Sequence, residues 1–313
     1  MNEKGALRMK PRLIAMGFDD NYLFPALVTL FSARRGYAKE LKLLIAHDGE
    51  CLSADSISLI RETCLELKID VSFKEIDFPD FLGGSGHLSR MSWARIMLMS
   101  EVREQFLWLD ADLILQSGWE SLLFESHSLQ AAGLAAALDS NFTNTNVLNT
   151  AYVVAGEAYI NDGVLLVDPD ALDARVLQRL EEGISRYSEL GFEWLDQDVI
   201  NFSLEGKGAV LPQSFNRQVP IHKVKRTTGF ILHFTSDAKP WSGPWRLLYF
   251  YSFSVRFWNE YATALLNFVS NNPNLQSSLK RARKAALRAE RLSMNTGPFR
   301  RKLLLGLARI IWR

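Results

Sequence analysis

The feature that most constrains the fold is an alternation of short apolar runs with longer segments of helical periodicity along the first two thirds of the chain. The expected strands lie at residues 12–18, 41–47, 71–77, 105–111, 134–139 and 163–168. The expected helices begin at Pro25, which a first helical turn tolerates, and at residues 53 and 92. Continuous apolar strands are typical of a sheet covered on both faces. The alternation therefore predicts an α/β fold, Rossmann-like, with a mixed, mostly parallel sheet flanked by helices.

Acidic residues follow three of the expected strands, in the segments GFDDN (17–21), LDADL (109–113) and ALDSN (137–141). In open α/β sheets, ligands bind beyond the carboxyl ends of the strands. We therefore expect carboxylates from these separate segments to lie together along one edge of the sheet.

Asp110 and Asp112 are candidate metal ligands. Residues two apart on a strand point to the same side, so both carboxylates can reach one cation. Two hard oxygen ligands suit Mg²⁺ or Mn²⁺. The alternative is a surface turn with two solvated acids. The apolar run FLWL at 106–109 favours the metal site, because it makes the pair the end of a strand.

His233 and Lys239 lie in the segment GFILHFTSDAKPW. Apolar residues precede His233, so it also ends an expected strand, and a neutral imidazole is a good third ligand for Mn²⁺. The alternative is a histidine buried in the core for packing. Lys239, fixed before a proline and a tryptophan, is a candidate phosphate ligand or else a solvated loop lysine.

Two further polar groups stand beside apolar segments. Asp196 and Gln197 open an apolar helix, where an acid could serve as the N-cap or belong to a polar site, and spacing does not choose between these interpretations. Asn161 and Asp162 precede a glycine and an expected strand, a pattern that is also typical of a turn.

The composition narrows the class of protein. The chain has 313 residues, 48% of them hydrophobic and 23% charged, which excludes a disordered chain. Two cysteines, Cys51 and Cys64, build neither a zinc site nor a disulfide framework, and they indicate a reducing cytosol. The first residues lack the apolar core of a signal peptide, and the apolar run at 247–255 is too short to span a bilayer. We expect a cytoplasmic protein.

Taken in order, six segments resemble the family 8 glycosyltransferases, which include bacterial lipopolysaccharide glucosyl- and galactosyltransferases and, more distantly, glycogenin. The segments are FDDNY, SWARIML, FLWLDADLIL, YINDGVLLVD, DQDVIN and HFTSDAKPW, and the resemblance covers roughly residues 12–245. It implies the nucleotide-sugar transferase fold called GT-A, a UDP-sugar donor, Mn²⁺ (or Mg²⁺) as cofactor, and transfer with retention of anomeric configuration.

The resemblance also implies a role for each matching residue. The metal ligands would be Asp110, Asp112 and His233. The donor nucleotide would be held by Asp19, Asn21, Tyr22, Arg95 and Lys239, the first three at the uridine, Arg95 near the sugar and Lys239 at the diphosphate. The transferred sugar would be surrounded by Asp139, Asn161, Asp196 and Gln197. The chain departs from the family pattern at three positions. The family usually has smaller residues where this chain has Asp162 and Ser236, and Asp237 adds a negative charge.

The C-terminal part differs from the rest in charge. Residues 280–313 contain eleven Lys and Arg and one acid, so their net charge is +10 although the whole chain is at +1. Residues 299–313 form a basic amphipathic pattern, which favours attachment to a membrane surface over a disordered tail or a helix that docks on another subunit. No aromatic platform for bases accompanies the arginines, so we expect no nucleic-acid partner.

These observations predict a catalytic domain at 1–245, an aromatic-rich helical extension at 246–279 and a basic tail at 280–313. The expected activity is metal-dependent transfer of glucose or galactose from a UDP-sugar to a cell-surface glycan. The acceptor would be lipopolysaccharide, capsule or a lipid-linked oligosaccharide, reached at the inner face of the cytoplasmic membrane through the tail. The alternative is a non-catalytic protein that binds a sugar nucleotide or a glycan and has kept the fold.

Overall fold

A computed structural model describes residues 13–82, 89–124, 133–140, 159–192, 194–236, 238–241 and 251–295. The strands are β1 (Leu13–Gly17), β2 (Leu41–His47), β3 (Ile69–Glu75), β4 (Phe106–Leu109), β5 (Leu113–Leu115), β6 (Leu134–Leu138), β7 (Ile160–Val167), β8 (Ala209–Leu211), β9 (Arg217–Gln218) and β10 (Ile231–His233). The helices are α1 (Leu23–Gly36), α2 (Ala54–Leu67), α3 (Ala94–Glu101), α4 (Ala174–Ser185), α5 (Leu195–Leu204), α6 (Phe253–Phe268) and α7 (Pro273–Asn295).

The main sheet has seven strands in the order β3-β2-β1-β4-β7-β6-β8. Strands β3, β2, β1 and β4 are parallel, whereas β7 runs antiparallel to both of its neighbours. The mostly parallel sheet predicted from the sequence is therefore confirmed. The reversal of β7 brings its first residues to the edge where β4 ends, because Leu109 lies opposite Val164.

A second sheet of three short strands, in the order β5-β10-β9, continues from that edge. Strand β10 pairs antiparallel with β5, so His233 lies opposite Leu113. The last residue of β10 thus comes next to the loop between β4 and β5, which contains Asp110 and Asp112.

Helices cover both faces of the main sheet, as the continuous apolar strands require. Side chains of α1, α2, α6 and α7 share one buried cluster with the strands, and side chains of α3, α4 and α5 share the other. The N-cap predicted at Ser53 is also confirmed. Its side chain accepts a hydrogen bond from the backbone N–H of Ser56 at the start of α2.

The two C-terminal helices pack on the same core as α1. Trp258 of α6 lies edge-on to Phe24 at 6.0 Å, and Leu275 and Leu279 of α7 are fully buried. Helix α7 crosses residue 280, where the sequence predicts the start of the basic tail. The predicted amphipathic segment 299–313 lies outside the described residues. Among the helices that the structure describes, none combines the length and apolar character needed to cross a bilayer.

Candidate functional site

A cavity of about 780 Å³ opens at the edge where β1 and β4 end. Of the twelve site residues predicted from the sequence, eleven line it: Asp19, Tyr22, Arg95, Asp110, Asp112, Asp139, Asn161, Asp196, Gln197, His233 and Lys239. Asn21 does not line the cavity; it is exposed, and its backbone N–H donates to Asp19 at 2.9 Å. Carboxylates from separate strand ends have thus converged on one edge.

Asp110, Asp112 and His233 form a cluster whose ligand atoms all lie within 4.8 Å of one another. The Nε2 atom of His233 is 3.2 Å from Oδ1 of Asp112 and 3.7 Å from Oδ2 of Asp110. Asp112 and His233 are buried, whereas Asp110 is partly exposed towards the cavity. The three predicted metal ligands are therefore close enough for one ion to contact all three.

Asn216, which the sequence did not single out, decides which nitrogen of His233 carries a proton. Its side-chain nitrogen donates to Oδ1 of Asn161 at 2.7 Å, so its side-chain oxygen is the atom that lies 2.9 Å from Nδ1 of His233. Nδ1 must donate this hydrogen bond, so in the neutral imidazole the lone pair is on Nε2, which faces two carboxylates. In that form the cluster presents three acceptors to one another, an arrangement that fits a cation.

Gly163 allows β7 to approach this cluster closely. A Cβ atom at this position would lie 2.2 Å from Cε1 of His233 and 2.9 Å from Oδ2 of Asp110. No side chain fits in that space, so glycine is required here. The backbone of Gly163 also accepts a hydrogen bond from the N–H of Asp110 at 2.9 Å, which ties the first metal-ligand candidate to the strand.

The loop from Asp110 to Asp112 is held from behind by a buried threonine of α1. Oγ1 of Thr29 accepts a hydrogen bond from the N–H of Leu113 and lies 2.9 Å from the carbonyl oxygen of Ala111 and 2.8 Å from that of Leu113. Sequence reasoning missed this residue because a threonine inside an apolar helix has no local signature of a role 84 residues away.

Arg95 organises a second group of carboxyls beside the metal-ligand candidates. Its guanidinium contacts Asp110 at 2.9 Å, Asp162 at 2.9 Å and Asp196 at 3.0 Å, and the arginine is buried. Burial and the neighbouring charge of Asp196 raise the pKa of Asp162 well above its usual value, against the opposing effect of Arg95. One guanidinium thus faces three carboxyls.

Asp196 is not the N-cap of α5, because Trp194 occupies that position. Asp198 accepts hydrogen bonds from the N–H of Trp194 at 2.7 Å and from the hydroxyl of Tyr159 at 2.6 Å. Asp196 instead points to Arg95 from the first turn of α5. Leu195, which precedes Asp196, has φ of 42°, a strained backbone conformation for a leucine.

Amide side chains form the opposite wall of the cavity. Asn161 donates to Oδ2 of Asp139 at 3.0 Å and to Oε1 of Gln197 at 2.9 Å, and Gln197 donates to the same Asp139 oxygen at 3.2 Å. Asn161 and Asp162 lie inside β7, not in a turn before it. These bonds fix the orientation of each amide, so the wall presents polar atoms at defined positions.

Lys239 lies between the metal-ligand candidates and the loop that follows β10. Its Nζ atom donates to Oδ2 of Asp112 at 2.7 Å and to the carbonyl of Phe234 at 2.9 Å. Burial alone would raise the pKa of Asp112, but the ammonium charge of Lys239, together with His233, outweighs burial and holds this pKa below its usual range. Ser236 also lines the cavity, and Asp237 lies outside the described residues.

The residues predicted at the uridine lie where β1 leads into α1. Oδ1 of Asp19 accepts hydrogen bonds from the N–H groups of Asn21 and Tyr22, and burial raises the pKa of Asp19. The Tyr22 ring packs edge-on against Trp241 at 5.9 Å. Trp194, which the sequence did not single out, also lines the cavity with 43% of its surface exposed.

Comparison with known proteins adds a family and a fold. The family model described as "Glycosyl transferase family 8" matches residues 13–243. No curated protein is similar enough to match the chain. Among solved structures, the galactosyltransferase LgtC in complex with donor and acceptor sugar analogs is 18% identical, with a TM-score of 0.65 over 80% of this chain and 95% of that one.

Two other solved structures are similar. The bifunctional glycosyltransferase WbbM is 16% identical with a TM-score of 0.60, over 90% of this chain and 53% of WbbM. GlyE of Streptococcus pneumoniae TIGR4 is 21% identical with a TM-score of 0.57, over 84% of this chain and 64% of GlyE. The GT-A fold implied by the sequence is confirmed.

Proposed function

The chain belongs to glycosyl transferase family 8 and is a glycosyltransferase, and we propose that it transfers a hexose, glucose or galactose, from a UDP-sugar to a cell-surface glycan with retention of configuration. We propose Mn²⁺ or Mg²⁺ as its cofactor. The observation that carries this proposal is the cluster of Asp110, Asp112 and His233 in a cavity of about 780 Å³, with Lys239 hydrogen-bonded to Asp112.

The donor set fits a divalent ion of this type. Two carboxylates supply hard oxygen ligands, and the hydrogen bond from Nδ1 of His233 to Asn216 leaves Nε2 free to coordinate. A divalent ion held by these three residues would act as a Lewis acid that stabilises negative charge on the departing diphosphate.

Side chains of the protein would stabilise the diphosphate and position the transferred sugar. Lys239 adds a second positive charge next to the diphosphate, and Arg95 holds Asp110 and Asp196 in place. The amide wall of Asn161 and Gln197 would hold the hydroxyls of the transferred sugar. Gln197 is a poor nucleophile, so we favour attack of the acceptor hydroxyl on the face that the diphosphate leaves. The departing phosphate would take the hydroxyl proton.

The acceptor we propose is a glycan or glycolipid such as lipopolysaccharide, capsule or a lipid-linked oligosaccharide. LgtC, which has been seen with donor and acceptor sugar analogs, supports a nucleotide-sugar donor and a glycan acceptor. The half-exposed ring of Trp194 could stack on the face of an acceptor sugar. We place the protein in the cytoplasm, at the inner face of the membrane, to which the basic tail 280–313 would attach.

A panel of UDP-sugars with Mn²⁺ tests the proposal without an acceptor, because slow hydrolysis releases UDP. We expect release from UDP-glucose or UDP-galactose, and loss of that release in Asp112→Asn while the variant stays folded by circular dichroism. The matched control is Asp168→Asn, since Asp168 accepts a hydrogen bond from Gln105 at 2.8 Å and does not line the cavity.

Two results would contradict parts of the proposal. Normal turnover by Asp112→Asn with the metal chelated would remove the metal role of the aspartate pair. Tight binding of a UDP-sugar without turnover, with or without a glycan acceptor, would favour the non-catalytic binding protein instead.

A further inference from the structure

An exposed basic loop follows β9. Its five residues, His222, Lys223, Val224, Lys225 and Arg226, are all exposed, and none of them is acidic. Val224 at the centre exposes 65% of its surface. The exposed valine therefore lies between basic residues, His222 and Lys223 before it and Lys225 and Arg226 after it.

The loop is held to the start of α6 by two hydrogen bonds, one from a backbone N–H and one from a side-chain hydroxyl. The N–H of Phe253 donates to the carbonyl of Lys223 at 2.7 Å, and the hydroxyl of Ser254 donates to the carbonyl of Pro220 at 3.0 Å. Tyr251, two residues before Phe253, exposes 78% of its surface. A second exposed apolar side chain therefore belongs to the same region.

The loop is also attached to the wall of the catalytic cavity. The N–H of Ile221 donates to Oγ of Ser236 at 2.9 Å, and Ile221 packs in a small buried cluster with Ala238 and Val255. Both Ser236 and Pro220 line the cavity. The basic loop thus begins beside the cavity wall, with its base buried and its tip in solvent.

We propose that residues 222–226, together with Tyr251, form a membrane-contact surface that binds anionic lipid headgroups and holds the mouth of the cavity against the bilayer. The cations attract anionic lipids, while Val224 and Tyr251 enter the interfacial layer. A soluble polyanion would satisfy the charges but would leave both apolar side chains in water. The proposal extends the proposed function, since an acceptor carried on a lipid would meet the cavity at this surface.

Charge reversal tests the electrostatic part on the full chain. Each basic residue near an anionic surface contributes about fivefold in binding, so Lys223→Glu/Lys225→Glu should weaken binding by at least about 25-fold. The probe is vesicles of phosphatidylcholine mixed with phosphatidylglycerol, with pure phosphatidylcholine for comparison. The matched control is Lys42→Glu/Lys68→Glu, because these exposed lysines lie at the amino ends of β2 and β3, away from the cavity.

A label on the loop separates it from the basic tail. Val224→Cys can be labelled selectively, because burial raises the pKa of both native thiols, Cys51 and Cys64, to about 12. A nitrobenzoxadiazole dye at residue 224 should shift to the blue and brighten with anionic vesicles, and a dye on Lys42→Cys should not.

Three results would overturn the proposal. In the first, the protein sediments with vesicles while the dye at residue 224 stays in water. In the second, the protein does not bind vesicles at all. In the third, the dye responds equally to soluble dextran sulfate. Hydrolysis of a UDP-sugar without vesicles reports on the proposed function separately, and Lys223→Glu/Lys225→Glu should match the parent because neither lysine lines the cavity. The dye at residue 224 could enter the vesicles although the parent protein hydrolyses no UDP-sugar. That outcome would refute the proposed function and leave the membrane-contact surface standing.

Discussion

Replacing Gly163 by alanine is the sharpest test of the site geometry. The added Cβ would lie 2.2 Å from Cε1 and 2.7 Å from Nδ1 of His233, and 2.9 Å from Oδ2 of Asp110. Two of the three metal-ligand candidates would therefore be displaced by one methyl group. We expect Gly163→Ala to fold but to lose its metal site.

The size of the displacement follows from the packing. Ordinary contact with a Cβ begins at 3.4 Å, so the His233 ring or β7 must move by about 1.2 Å. Metal–ligand distances tolerate a deviation of only about 0.2 Å. We expect affinity for Mn²⁺ to fall by at least about 10–100-fold, with a loss of about 1–3 kcal/mol in the free energy of unfolding from overpacking.

Isothermal titration of Mn²⁺ measures the first effect, and urea unfolding measures the second. Gly183→Ala is the matched control, since its Cβ would also be tight, at 3.0 Å from Val199, but on α4, and Gly183 does not line the cavity. Parent-like Mn²⁺ affinity in a folded Gly163→Ala protein would refute the assignment of the cluster as a metal site.

Three further predictions follow from other contacts. Asn216→Leu removes the acceptor for the histidine Nδ1 proton and should lower Mn²⁺ affinity by about 10–100-fold in titration calorimetry, whereas Asn216→Asp keeps an acceptor and should retain more of it. Arg95→Leu leaves two buried carboxyls and one partly exposed carboxyl without their cation and should cost about 3–5 kcal/mol in urea unfolding at neutral pH. The folded pKa of Asp162 is raised, so this carboxyl binds its proton more tightly when folded, and the loss in Arg95→Leu should shrink as the pH falls. With a pKa of about 12, Cys51 and Cys64 should react with iodoacetamide about a thousandfold more slowly at pH 8 in the native protein than in urea, as mass spectrometry can follow.

Much of the fold could be predicted because its signals are local. A buried strand is a short apolar run and a helix has its own period, so the strands and the capped start of α2 at Ser53 could be located from neighbouring residues alone. The same logic located Asp110 and Asp112, since their charge follows an apolar strand. For Asp196, the spacing of residues could not decide between an N-cap and a polar site. The resemblance to a known family implied the second.

The partners of these residues could not be predicted, because they are far away in sequence. Lys239 bonds Asp112 across 127 positions, and Asn216, just before β9, bonds His233 across 17 positions. Thr29, inside an apolar helix, is hydrogen-bonded to the loop that contains Asp110 and Asp112. No periodicity or spacing encodes such a contact, since it exists only after the elements have packed.

The sequence by itself determined which elements form and which chemical groups end them, because hydrophobic period and residue type are properties of adjacent residues. Only the tertiary structure decided that β7 runs antiparallel to β4, which places Gly163 next to His233. It also decided that Asp198, and not Asp196, accepts the hydrogen bond from the backbone N–H of Trp194 at the start of α5. These outcomes depend on which strand lies beside which, and that is settled by burial over the whole chain.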